Sequence, residues 1–124
     1  MCKILLSINP EYSSQILQGL KKYEYRRQIA KRKVDEILIY STSPEMKIVG
    51  SVKVNSIIKN TPQLLWEETK DYAGICKEKF FTYFKGKENA FAYKLGDVTI
   101  FNPPQSLVDY DIKVAPQSFV YVDE

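Results

Sequence analysis

The 124-residue chain contains no histidine. This removes imidazole general bases, Ser-His-Asp and Cys-His relays, and every zinc site that needs a histidine ligand. Cysteine is scarce as well. Cys2 and Cys76 are too few for a four-thiolate metal site or a disulfide framework, and both are expected to be reduced. No run of 18 or more apolar residues occurs, so no bilayer-spanning helix is expected. The stretch Ile4 to Leu6 is too short for a signal-peptide core, and Asn9-Pro10-Glu11 follows it with helix-start chemistry, which makes the cytoplasm the expected compartment. The chain is 44% hydrophobic and 27% charged, which suits one compact domain over residues 1–124. No metal and no cofactor are expected, so any chemistry must come from Lys, Glu, Asp, Tyr, Ser, Thr or Cys.

The net charge of +3 is small, but it is unevenly distributed. Residues 21–33 hold seven Lys or Arg against one acid, a local balance of +6, and the rest of the chain therefore sums to −3. Such segregation suits a phosphate or polyanion site, and it equally suits a solvated basic loop.

Residues 3–8 are short and apolar and read as a buried first strand. A helix should follow at once. Asn9 is a good N-cap, Pro10 fits the first helical position, Tyr12, Ile16, Leu17 and Leu20 form an apolar stripe, and Gly19 can end the helix. Tyr23 to Lys33 mixes aromatic and basic residues without a sustained period, as expected of an exposed strand and connecting loop. Strands are expected at Glu36 to Tyr40 and Ile48 to Ile58, around a Ser41-Thr42-Ser43-Pro44 turn, with Gly50 as a candidate bulge. Thr61-Pro62 opens a helix that Gly74 interrupts, and residues 77–85 resume helix with Phe80, Phe81 and Phe84 as core. Gly96-Asp97 has the chemistry of a tight hairpin turn between 90–95 and 98–101, with Pro103-Pro104 ending the pair. Phe119 to Val122 reads as a closing strand. Five or six short strands interrupted by helices indicate an α+β fold with a curled or closed sheet.

The sharpest local feature is Gly19-Leu20-Lys21-Lys22-Tyr23-Glu24-Tyr25-Arg26-Arg27. In an extended segment Glu24 and Arg26 share a face, where the carboxylate can fix the guanidinium by bidentate hydrogen bonds and leave its other donors for a phosphate, carbonyl or base edge. Lys21, delivered by the end of the preceding helix, can approach the same point. A solvent-exposed ion-pair ladder would have the same spacing. The G-x-K-x-x-E-x-R pattern met by Gly19, Lys21, Glu24 and Arg26 resembles the signature of the ASCH domains, a branch of the PUA-like superfamily. The similarity extends through Leu5-Leu6-Ser7-Ile8 with Pro10, Ile39 to Pro44, Tyr83 to Gly86 before Ala90 to Leu95, and Pro116 to Phe119, as in small stand-alone microbial or viral members.

The resemblance implies a PUA-like pseudo-β-barrel of five or six short, mostly antiparallel strands with flanking helices and a cleft beside the barrel. It implies that Lys21, Glu24 and Arg26 face that cleft, that Gly19 permits the turn presenting them, and that Ser7, Tyr40, Ser41 and Thr42 are further lining candidates. The expected partner is RNA or a nucleotide, bound by a module of RNA metabolism or of translation or transcription control. Tyr23 or Tyr25 would stack an unpaired base, or else pack on the barrel, and Lys31, Arg32 and Lys33 would extend the basic track or stand in solvent. Asn9 stands where the pattern often has a basic residue, leaving the cleft one cation poorer.

Two enzymatic alternatives follow from the same resemblance. One is an acetylated-cytidine amidohydrolase using a lysine, a threonine three residues later and a glutamate elsewhere. Lys21 matches, but Glu24 occupies the threonine position, and Glu67 and Glu68 are expected at the surface. The other is a ribonuclease-like cleavage with Lys21 and Glu24 as catalytic groups, Lys21 or Arg26 stabilising the phosphorane and Glu24 taking the hydroxyl proton. A protein-interaction adaptor would instead need an exposed apolar patch, for example at Trp66.

Overall fold

The computed structural model describes residues 1–122. Its elements are β1 (Lys3–Ile8), α1 (Pro10–Leu17), β2 (Tyr23–Arg26), β3 (Glu36–Ser41), β4 (Lys47–Asn60), α2 (Pro62–Thr69), α3 (Lys77–Tyr83), β5 (Ala90–Gln105) and β6 (Phe119–Val122). Short 3-10 turns at Lys70–Tyr72 and Leu107–Tyr110 complete them. The six strands form one sheet in the order β2-β5-β4-β3-β1-β6. Every pairing is antiparallel except β1 with β3, where Leu5 lies beside Leu38. None of the described helices is long and apolar enough to cross a membrane.

Local chemistry sets the helix ends. Asn9 accepts the Glu11 backbone N–H at 3.0 Å and Pro10 fills the first helical position. At the other end Gly19 adopts φ +78°, its N–H donates to Ile16 O at 3.0 Å, and the Leu20 N–H donates to Gln15 O at 2.9 Å. These two bonds are a Schellman closure, which needs the left-handed conformation that glycine takes without steric cost. Leu20 consequently leaves the helix and is exposed, correcting its expected place on the apolar stripe. Thr61 caps α2 by accepting the Leu64 N–H at 3.3 Å, and α2 ends at Thr69, ahead of Gly74.

The expected hairpin at Gly96-Asp97 is absent: residues 90–105 are a single strand. Between the partners Val52↔Val98 and Val54↔Leu95, β5 carries one more residue than β4, so Gly96 and Asp97 lie in a bulge. A Cβ on Gly96 would sit 2.5 Å from Asn55 Oδ1, so glycine here serves close strand approach and makes no reversal. Pro103 and Pro104 likewise lie within β5, beside the register shift between Ile48 and Gly50, and do not end it. Gly50 is at a bulge as expected, its Cβ position only 2.4 Å from Thr99 O.

Two apolar clusters matter for the site. One, around Ile4, Leu6, Ile8, Ile16, Ile37, Ile39 and Tyr93, packs α1 and the 30–34 segment onto the sheet. The other joins Tyr25 of β2 to Leu65 and Trp66 of α2 and to Phe80 and Phe84 of α3. Tyr25 meets Phe80 edge to face with centroids 4.9 Å apart, while Trp66 leans on Phe80 at a tilt. The expectation that Tyr23 to Lys33 is exposed is therefore corrected in part: Glu24 and Tyr25 are buried on β2, with Tyr25 roofed by this aromatic cluster, and Ala30 is buried in the first cluster. Trp66 is buried in it too and offers no exposed patch.

Candidate functional site

A recess of about 190 Å³ opens between the end of β1, α1, β2 and the segment preceding α3. Lys21, Glu24 and Arg26 all line it, together with Ser7, Ile8, Asn9, Tyr12, Tyr25, Ile75 and Tyr83. Each charged group has a distinct anchor. The Schellman turn at the end of α1 and a bond from the Lys21 N–H to Gln15 O at 3.2 Å deliver Lys21 inward. Its ammonium donates to Ala73 O at 2.6 Å and lies 4.8 Å from the Tyr25 ring centroid and 5.3 Å from that of Tyr12. Gly74, at φ +67°, makes this possible, since a Cβ there would fall 2.7 Å from Lys21 Cβ and Cγ.

Glu24 and Arg26 project from alternate positions of β2 onto one face. Arg26 donates from Nε at 3.2 Å and from Nη2 at 2.8 Å to the same carboxylate oxygen, Glu24 Oε2. Nη2 also donates to Ser7 O at 3.0 Å, tying β2 to the end of β1. Arg26 Nη1 and Glu24 Oε1 have no hydrogen-bond partner among the described residues, so one donor edge and one acceptor are left for a guest.

The lysine is electrostatically unusual. Burial pushes the Lys21 ammonium down to about 8, with Arg26 acting in the same direction and Glu24 opposing both. Lys21 and Glu24 interact through space, since no ion pair within 4.0 Å joins them among the described residues. Tyr25 is held neutral: burial raises its phenol, and its hydroxyl lies 2.6 Å from Thr69 Oγ1. Thr69 gives its own proton to Leu65 O at 2.7 Å, so Tyr25 is the donor. The recess thus combines one easily deprotonated amine, one fixed carboxylate–guanidinium pair and aromatic walls. No cluster of three or more His, Cys, Asp or Glu suited to a metal ion occurs among the described residues.

The remaining candidates lie apart. Ser7 lines the recess, but its hydroxyl is engaged, donating to Pro116 O at 2.6 Å. Tyr40 is buried against Leu5, Leu38 and Ile48. Ser41 is buried and shares a 2.8 Å hydrogen bond with Ser13. Thr42 donates its N–H to Ile8 O at 3.0 Å. None of these three lines the recess, and neither does Gly19, whose contribution is its turn. Lys31, Arg32 and Lys33 are exposed and do not line it either, the Arg32 guanidinium resting 4.2 Å from the Tyr121 ring. Glu67 and Glu68 are exposed on α2, Glu67 pairing with Lys70 at 3.0 Å. Tyr12, Ala73, Gly74, Ile75 and Tyr83 complete the surroundings of the recess; the sequence marked Tyr12 only as part of an apolar stripe, Gly74 as a helix interruption and Tyr83 within a segment of family resemblance, and none as a site residue.

Fold and recess together define a PUA-like domain, an α+β architecture in which a curled sheet with flanking helices carries a cleft at its edge. A profile of the ASCH domain matches residues 6–103, and the chain belongs to that family. The ASCH protein of Zymomonas mobilis superposes with a TM-score of 0.90 over 98% of this chain and 88% of its own, at 26% identity. Its serine-to-alanine variant superposes equally well, with a TM-score of 0.90, 25% identity, and coverage of 98% and 89% of the two chains. A protein of Z. mobilis named ASCH domain-containing ribonuclease is 29% identical over 119 residues, covering 83% of this chain and 80% of the relative. Two Ureaplasma parvum proteins, ATP synthase subunit alpha and large ribosomal subunit protein uL22, are each 25% identical over 120 residues. Both matches take in 96% of this chain but only 15% and 39% of those longer proteins.

Proposed function

We propose that this ASCH domain acts on RNA by binding an unpaired nucleotide in the Lys21–Glu24–Arg26 recess. The observation that carries the reading is the convergence of those three side chains on one hollow walled by Tyr12, Tyr25 and Tyr83. An aromatic-lined hollow accommodates the π-face of a base, while an open acceptor on Glu24 and an open donor on Arg26 meet its edge. Lys21 adds a cation for a phosphate. The Z. mobilis relative named as a ribonuclease supports an RNA ligand over a protein one.

A second reading, metal-independent cleavage, is favoured by one feature. With its pKa near 8, about a tenth of Lys21 is neutral at pH 7 and able to act as a base. The amine would take the proton of a 2′-hydroxyl, the oxygen would attack phosphorus, and the bond to the 5′ oxygen would break. A 2′,3′-cyclic phosphate and a 5′-hydroxyl result once the leaving oxygen is protonated by solvent. Arg26 Nη1 would stabilise the phosphorane. The amidohydrolase reading lacks comparable support: Glu24 is tied to Arg26, no threonine lines the recess and the Ser7 hydroxyl is committed.

One titration tests both. End-labelled single-stranded RNA is bound to the native protein and to Lys21→Met and Arg26→Gln, in chelator, and each sample is then run on a denaturing gel. Native binding that weakens with salt, and falls tenfold or more in both variants, is expected. Equal affinity in all three proteins refutes the binding reading. Product with a cyclic phosphate end, formed faster as pH rises toward 8 and absent in Lys21→Met, is expected of the cleavage reading, and intact RNA refutes it.

A further inference from the structure

A second hollow of about 300 Å³ shares the Arg26 and Tyr83 wall of the recess and runs away from it along Arg27, Gln28, Lys87 and Ser118. Its lining contains three cations and no acid. The cations are positioned by the fold. Arg27 Nε donates to Tyr83 O at 2.8 Å and its guanidinium carbon stands 4.3 Å from the Tyr83 ring centroid, which locks the fork in place. Its two terminal nitrogens have no partner among the described residues. Beyond α3, Gly86 takes φ +79° and the Lys87 N–H donates to Phe84 O at 3.0 Å, folding Lys87 back toward the same hollow. Arg27 is thus fixed and without a carboxylate partner among the described residues, Lys87 adds an exposed cation beside it, and Arg26, although paired with Glu24, keeps Nη1 open; such a set of donors suits a phosphodiester.

We infer that this groove is a phosphate subsite, holding the backbone of the nucleotide adjacent to the one in the recess, with Arg26 shared between the two positions. The inference rests on the RNA reading above and adds a binding length to it. The minimal full-affinity ligand is more than one nucleotide long, and Arg27 and Lys87 contact its backbone without reading its sequence. The basic track thus runs through residues 26, 27 and 87, elements distant in sequence, and not along Lys31, Arg32 and Lys33.

The test compares a nucleoside monophosphate, a tetranucleotide and inorganic phosphate against native protein, Arg27→Gln/Lys87→Gln and, as a control for overall charge, Lys47→Gln. Both groove residues are exposed, and each single variant is run beside the double one with its thermal transition. The double variant should lose about tenfold in tetranucleotide affinity and reduce the salt slope by about 1.4, about 0.7 per cation removed, while binding the mononucleotide as the native protein does. Lys47→Gln should match the native protein. Unchanged tetranucleotide affinity and slope in the double variant overturns the subsite, and leaves the recess reading intact if Lys21→Met still loses binding. Equal loss for mononucleotide and tetranucleotide also overturns it, because the groove would then act as part of the first site. Inorganic phosphate competing with the tetranucleotide as strongly as a mononucleotide does would mark a free-anion site and refute an RNA-backbone role. A native protein that binds neither nucleotide refutes the recess reading and this inference together.

Discussion

The buried lysine makes the stability of this domain depend on pH in an unusual direction. Lys21 is only 3% exposed and its pKa drops from 10.5 to about 8 on folding. Between those values the unfolded chain binds a proton that the folded chain has released, so stability must rise with pH there. The full difference corresponds to about 3 kcal/mol at about 1.36 kcal/mol per tenfold, and about 2 kcal/mol of it should be recovered between pH 7 and 9.5. Above pH 10 the buried phenols oppose the trend. Tyr25 and Tyr93 are raised by burial, so their protonation favours the fold at lower pH and that contribution fades as the unfolded phenols ionise. Lys21→Met removes the charged group and leaves Ala73 O without its donor, which costs about 1–3 kcal/mol. At pH 7 the variant should therefore be as stable as the native protein or up to about 2 kcal/mol more stable. By pH 9.5 that advantage should have vanished or reversed. Urea unfolding at half-unit steps from pH 6.5 to 9.5, for both proteins, measures it. A native profile that is flat over this range, or a variant that rises in parallel with it, would show that Lys21 is solvated and that its place in the recess has been misread.

Two further substitutions probe the same site. Gly74→Ala puts a methyl 2.7 Å from the Lys21 side chain at a left-handed backbone position; it should cost about 1–3 kcal/mol by thermal melt and weaken RNA binding with no charge removed. Native-like stability would show that the close approach is easily relieved. Glu24→Gln keeps an acceptor for Arg26 but raises the charge of the three-residue set from +1 to +2, so nucleotide binding should persist with a steeper salt slope while discrimination among the four bases narrows. Selectivity unchanged in a four-base competition would remove Glu24 from base recognition.

How much of this was legible in the sequence depends on the range of the interactions. The ends of α1 and α2 are written in neighbours: Asn9 with Pro10, Thr61 with Pro62, and Gly19 closing the first helix. The pairing of Glu24 with Arg26 follows from strand alternation across two residues. What surrounds Lys21 does not follow in this way. Its acceptor, Ala73 O, is 52 residues away, and Tyr83 reaches the recess from α3. The bulge at Gly96-Asp97 has the same origin. The dipeptide suits a primed turn, yet the long-range pairing of β4 with β5 selects a bulge, because a reversal there would forfeit the partners of residues 98–105. Tyr40, Ser41 and Thr42 follow β1 and α1 rather than the recess for a similar reason: parallel pairing places Ser7 beside Tyr40 and Ile8 beside Ser41 and brings Ser41 against Ser13.

Under the proposed reading the charge arithmetic of the two hollows gives them different tasks. In the recess Lys21, Glu24 and Arg26 sum to +1, and the carboxylate and guanidinium largely satisfy each other. On the proposed reading such a site would gain little from long-range attraction of a polyanion and would discriminate by shape, aromatic faces and the single open donor and acceptor. The groove beside it adds Arg27 and Lys87, which have no carboxylate partner among the described residues, to the shared Arg26, whose charge Glu24 offsets. Its charge is the larger of the two. If the proposed reading holds, a domain whose net charge is only +3 would hold a polyanion by concentrating its cations along the backbone path and placing the neutralised pair at the base. The Glu24–Arg26 pair belongs to neither task alone: it removes charge from the recess, fixes the guanidinium at the shared wall, and so sets where one hollow ends and the other begins.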